Sequence, residues 1–202
     1  MIDFAISWQR TWSDLGLRAP VDLLKSLINA YQEPQRHYHS LQHLSECLAL
    51  FESVRQFSQY PGEVALALWF HDAVYDVKGK NNELKSAQWA VNVLCEVNAA
   101  QVVVDRVYAL IIATKHDGLV AEPDQQLILD IDLAILGSSP ERFAQYDAQV
   151  RAEYRWVPGV LYKMKRKAVL NEFLQKQSIY STDYFKEHYE TQARINLLRA
   201  LK

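Results

Sequence analysis

Two stretches of this chain that are otherwise apolar carry acids where no solvated side chain belongs. The run from Val64 to Phe70 ends in the adjacent pair His71-Asp72. The run LILDIDLAILG, residues 127–137, embeds Asp130 and Asp132 among Leu, Ile and Ala. A carboxylate left unpaired in an apolar interior costs several kcal/mol or becomes neutral. One cation held from both stretches answers both cases, since carboxylates with neutral imidazoles suit a divalent transition metal that keeps positions open for water. Five of the six histidines, His37, His39, His43, His71 and His116, precede residue 117. On a helix, HSLQH puts His39 and His43 on one face, so either can serve. That spacing also occurs in the zinc-protease pattern H-E-x-x-H, but position 40 is Ser and the base is missing. Asp130 and Asp132 face different ways two positions apart, so one of them is the ligand.

The elements that must position these groups are helical. Apolar residues recur at helical spacing almost everywhere and alternate at strand spacing almost nowhere. Phe4, Trp8 and Trp12 mark a helix over about 3–15, with both tryptophans in its packed face. A second follows Pro20, with Val21, Leu24, Leu27, Ile28 and Tyr31. After the polar break YQEPQRHYHS, a third carries Leu41, Leu44, Leu48, Phe51 and Val54. The apolar fourth leads into His71-Asp72, and residues 73–82 read as a loop with Asn81 or Asn82 capping the next helix. Further helices are expected over about 83–97, 101–115, 123–137, 139–154, 159–177 and 183–201. The class is all-α, a single-domain bundle of roughly nine or ten helices.

Composition bounds the rest. The chain has 202 residues, 50% of them hydrophobic, enough for one sizeable core. A net charge of −2 gives no electrostatic case for duplex nucleic acid or a membrane surface. No apolar run approaches the ~20 residues of a membrane span, and the start MIDFAISWQR does not read as a signal peptide, so a cytoplasmic location is expected. Cys47 and Cys95 are isolated in apolar helical patterns and read as thiols filling the core. His188, among Lys186, Glu187 and Glu190, reads as solvated surface. No heptad or clear interface appears, so the oligomeric state stays open, a homodimer included.

His43 on one helix, His71-Asp72 at the end of the next, and Asp132 on a later buried helix resemble the HD-domain superfamily of metal-dependent phosphohydrolases. RHYHSLQHL, ALWFHDAVYD, NNELKSA, ATKHDG and LDIDLAILG are similar to one bacterial branch, described only as predicted HD phosphohydrolases. EYRWVP, YKMKRKAVLNEFL and ARINLL extend that similarity over nearly the whole chain. The resemblance implies one HD-type domain over 1–202, with a metal-binding core at about 36–137 and C-terminal helices 140–201 packing on it. It implies His43, His71, Asp72 and Asp132 as ligands of one divalent ion, whether Mn, Fe, Co, Zn, Ni or Mg.

The implied activity is hydrolysis of a phosphate ester or anhydride in a small molecule, a nucleotide first, by metal-activated water. A related branch that cleaves guanosine pyrophosphates has two acids where this chain has Tyr75 and Asp76, which counts against that substrate. Asp76 and Glu83 are the candidates for general acid and base. Arg36, His39, Lys115, His116, Arg151, Arg155, Lys163 and Arg166 are candidates to neutralise a phosphate. Two other classes stay in view: a non-catalytic metal- or nucleotide-binding regulatory module, and a di-iron oxygenase. The second needs more histidines between His71-Asp72 and Asp132 than His116 alone.

Overall fold

A computed structural model describes residues 2–116, 118 and 120–202. Among them there are eleven α-helices and no strand. The chain divides into two compact units, Met1–Ile131 and Asp132–Lys202.

The first unit holds α1 (Phe4–Leu15), α2 (Leu23–Tyr31), α3 (Leu41–Val54), α4 (Pro61–Phe70), α5 (Asn82–Glu96), α6 (Gln101–Ala113) and most of α7 (Pro123–Leu133). Asp3 starts α1 by accepting from the amides of Ala5 and Ile6, at 2.9 and 3.1 Å. Gly16, at φ 65°, stops it in the left-handed conformation that costs glycine least. Trp8 and Trp12 are buried as expected.

The centre of this unit is α4. Every residue from Gly62 to Phe70 is buried, as its unbroken apolar sequence requires. It is surrounded by α1, α3, α5 and α6. Phe4 and Trp8 of α1 meet Trp69 at ring separations of 5.5 and 5.1 Å. Leu66 and Leu68 are fully buried and contribute roughly 2 kcal/mol each. On α5, Ser86, Ala87 and Ala90 are buried, and these small residues let the helix approach closely.

The start of α4 is fastened twice. Glu63, buried in its first turn, takes two hydrogen bonds from Arg106 of α6, at 2.6 and 2.5 Å. Asp124, at the start of α7, accepts from the amides of Gln59 and Tyr60, at 2.8 Å each. A carboxylate on α7 thus supplies the cap that α4 lacks from its own sequence. The two helices begin at one shared anchor.

The second unit continues with a 3₁₀ turn, Ala134–Gly137, then α8 (Pro140–Glu153), α9 (Gly159–Gln175), α10 (Asp183–His188) and α11 (Glu190–Ala200). Asn196 donates to the carbonyls of Leu136 and Ser138, both at 2.9 Å, and Tyr180 donates to that of Leu133 at 3.1 Å. Two expectations change here. The helix expected over 123–137 tightens into 3₁₀ after Leu133, and the helix expected over 183–201 breaks at Tyr189 into two. At that break the Tyr189 carbonyl approaches Gly137 so closely that a Cβ there would lie 2.7 Å away.

Candidate metal centre

Helix α3 buries Leu44, Leu48, Phe51 and Val54, and the same face carries His43 and Cys47 one turn apart. Both are 2% exposed. Helix α4 ends at His71, 1% exposed, whose amide still bonds the carbonyl of Ala67 at 2.8 Å. His71 Nδ1 lies 2.8 Å from the carbonyl oxygen of Leu68. A carbonyl only accepts, so Nδ1 carries the proton and the Nε2 lone pair points the other way.

What it points at is the rest of the cluster. His71 Nε2 lies 3.1 Å from His43 Nε2 and 3.2 Å from Asp72 Oδ2, and His43 Nε2 is 3.5 Å from the same oxygen. Asp132 is carried on α7, the continuous helix that includes both Ile131, the last residue of the first unit, and Asp132, the first of the second. Its carboxylate, both imidazoles and Cys47 Sγ offer ligand atoms that all lie within 4.8 Å of one another. Two N or O ligands bonded at ~2.0–2.1 Å to one tetrahedral ion stand about 3.3–3.4 Å apart. The observed spacings bracket that value, so the donor set fits a divalent cation in size as well as in chemistry. Asp132, and not its neighbour Asp130, reaches the cluster.

Electrostatics agree with the geometry. Burial alone would push the Asp72 carboxyl up, but His71, His39 and His43, whenever their imidazoles take a second proton, hold it well below the usual carboxylate range. This acid is built to stay ionised and to face positive charge.

The turn that presents His71 and Asp72 is held from three sides. Arg36, with its side chain 1% exposed, donates to the carbonyls of His39, Asp72 and Ala73, at 3.2, 2.5 and 2.9 Å, and to Glu33 at 2.9 Å. Tyr31 bridges the Trp69 carbonyl and the Asp72 amide, at 3.2 and 3.3 Å. Ser86 Oγ accepts from Val74 N at 3.0 Å.

The residues expected to meet a phosphate divide sharply. Arg36 is taken up by the backbone of the site and is not presented to a ligand. His39 stacks on Tyr75 at 4.1 Å beside the cluster. Asp76 is exposed and accepts from the amide of Lys78, at 2.9 Å, in a local turn. Glu83 is half-buried in the first turn of α5. Lys115 and His116 are exposed just past α6, His116 at φ 58°. In the second unit Arg151 donates to the carbonyls of Tyr154 and Val157 and lies over Tyr162. Arg166 pairs with Asp147 at 3.0 Å and lies over Tyr146. Arg155 and Lys163 are exposed.

Two cysteine expectations are revised. Cys95 is exposed, on the outer side of α5. Cys47 is buried, but beside the ligand cluster and not merely among aliphatic side chains. The signal for it was its spacing: Cys47 follows His43 by one helical turn, so any inward-facing His43 brings the thiol with it.

Compared with protein families, with characterised proteins and with solved structures, the chain has no match.

Proposed function

We propose that this chain is a metal-dependent phosphohydrolase that cleaves a phosphate ester or anhydride in a small molecule, with nucleotides as the first substrates to test. The observation that carries the reading is the convergence of His43 Nε2, His71 Nε2 and Asp72 Oδ2 within 3.1–3.5 Å, with Asp132 close by. Three of these donors, or all four in a sphere expanded beyond tetrahedral, hold a divalent ion and leave a position for solvent and substrate. Bound there, such an ion supplies Lewis acidity toward a phosphoryl oxygen and lowers the pKa of water. His71 is fixed in its ligating tautomer by the Leu68 carbonyl. Arg36, Tyr31 and Ser86 keep the Asp72 turn from relaxing away. His39, stacked on Tyr75 at the edge of the cluster, would contact a phosphate oxygen. Asp76, on the exposed loop beyond, is the nearest acid in sequence for proton transfer.

The test is metal content per chain and phosphate release, on the wild type and on Asp72→Ala and Asp132→Ala. Each protein is stripped, then reloaded with Mn²⁺, Co²⁺, Zn²⁺ or Mg²⁺. The expected result is about one ion per wild-type chain, lost in both variants while their helical circular dichroism persists. Phosphate release from at least one nucleotide or phosphomonoester should fall by ~10³-fold or more in the variants. Bound metal without turnover on a broad phosphate panel would favour the regulatory-module reading. No metal under any loading would remove the mechanism.

A further inference from the structure

Cys47 is placed as more than packing. Its sulfur lies 3.7 Å from both ring nitrogens of His43, and it shares the 4.8 Å cluster with His71 and Asp132. Equal approach to both nitrogens lays the sulfur against the imidazole ring, within the space that the other donors of the cluster share. The thiol approaches from α3, the helix that supplies His43, so a single rigid element fixes both donors. Cys47 is 2% exposed, which keeps solution thiols and oxidants from competing with an ion inside.

From this geometry we infer that Cys47 is itself a metal ligand, which makes the centre a thiophilic site for zinc, cobalt or ferrous iron and not a magnesium site. On binding, the Cys47 thiol gives its proton to solvent and the thiolate sulfur donates an electron pair to the ion; no oxidant or reductant takes part. Soft sulfur favours these ions over Mg²⁺, which demands oxygen donors in octahedral array. The inference rests on the metal-binding half of the function proposed above and is independent of its phosphate half.

Cobalt(II) tests it without depending on turnover. The full-length chain, stripped and loaded with one equivalent of Co²⁺, is expected to show visible d–d bands of a bound ion. It should also show a near-ultraviolet sulfur-to-cobalt charge-transfer band. Cys47→Ser should keep the visible bands and lose the charge-transfer band. Its zinc affinity, measured by chelator competition, should fall by ~100-fold or more, at or beyond the upper end of what losing a residue that only orients a ligand costs. Cys95→Ser should retain both signals, since that thiol is exposed and far along another helix. The wild-type spectrum decides the matter even if Cys47→Ser folds poorly. Visible bands with no charge-transfer band in the wild type would overturn the Cys47 assignment and leave the metal centre standing. No cobalt bands at all would overturn the metal centre, and this inference with it.

Discussion

Helix α4 carries an acid at each end, and the two are handled differently. Glu63, in the first turn, is 5% exposed and receives the Arg106 guanidinium through two hydrogen bonds. Asp72, just past the last turn, receives two imidazole nitrogens at 3.2 and 3.5 Å. A guanidinium is a permanent cation, and its hydrogen bonds to Glu63 raise its pKa further. An imidazole is a cation only while it holds a second proton, and one nitrogen of His71 is already occupied by the Leu68 carbonyl. The charge at Glu63 is therefore balanced inside the protein at all times, whereas the charge at Asp72 is balanced only conditionally. The first arrangement makes a structural joint. The second makes a place where a cation from outside gains free energy, and that contrast is the physical basis of the function proposed here.

The contrast breaks most visibly at the Glu63 end. Arg106→Met leaves a buried carboxylate without its cation. A fully buried pair loses ~3–5 kcal/mol in that case. Arg106 is 32% exposed along its side chain, so the expected loss is about 2–3 kcal/mol. Replacing both residues, Glu63→Met with Arg106→Met, should recover most of it, because two apolar groups need no pairing. Urea denaturation in the presence of a chelator measures both variants. Metal content should not change in either. A parallel loss of metal would show that the two ends of α4 are not independent.

A smaller effect sharpens the other end. Arg36 touches no expected ligand atom; it holds the carbonyls of His39, Asp72 and Ala73. Arg36→Met keeps the apolar stem and removes that clamp. Metal affinity is expected to fall about tenfold, as for other residues that only orient ligands. Isothermal titration with Zn²⁺ or Co²⁺ reads this directly. An affinity unchanged within about twofold would mean that Tyr31 and Ser86 suffice to fix the turn.

The roles of Arg36 and Cys47 mark what the sequence could and could not convey. Helical periodicity located α1, α3, α4, α5 and α6 to within a few residues, because each buries one continuous apolar face. Acids in apolar runs flag Asp72 and the pair Asp130 and Asp132, because burial of charge is the signal that composition carries best; within that pair the choice of Asp132 rests on the family resemblance, and Asp130 is the more buried of the two. In sequence Arg36 reads as a phosphate contact, because a basic residue before a histidine cluster looks solvent-facing. What decides its role is three carbonyls, and backbone groups have no signature in sequence. Cys47 reads as filler, because a single thiol in an apolar helix usually is. Only the third dimension brings Asp132 and His71 within reach of its sulfur. The break at Tyr189 has no sequence signal, because no proline or glycine marks it; close approach to Gly137 accompanies it instead.

The smallest test asks whether the anchor at the start of α4 matters at its far end. Asp124 is 7% exposed and accepts from Gln59 and Tyr60, tying the first residues of α7 to the entry of α4. The same two helices end at Asp132 and His71. Asp124→Ala removes a cap, which costs about 1 kcal/mol in chemical denaturation. Asp124→Asn keeps one carbonyl acceptor and should lose less. Neither variant is expected to weaken metal binding more than about threefold, since the orientation of ligands is set by their own local partners. Arg36, Tyr31 and Ser86 fix the Asp72 turn close to the cluster, and the Leu68 carbonyl fixes His71. A larger loss of affinity in Asp124→Ala would mean that α7 is positioned from its start, so that Asp132 reaches the cluster only while Asp124 holds the other end.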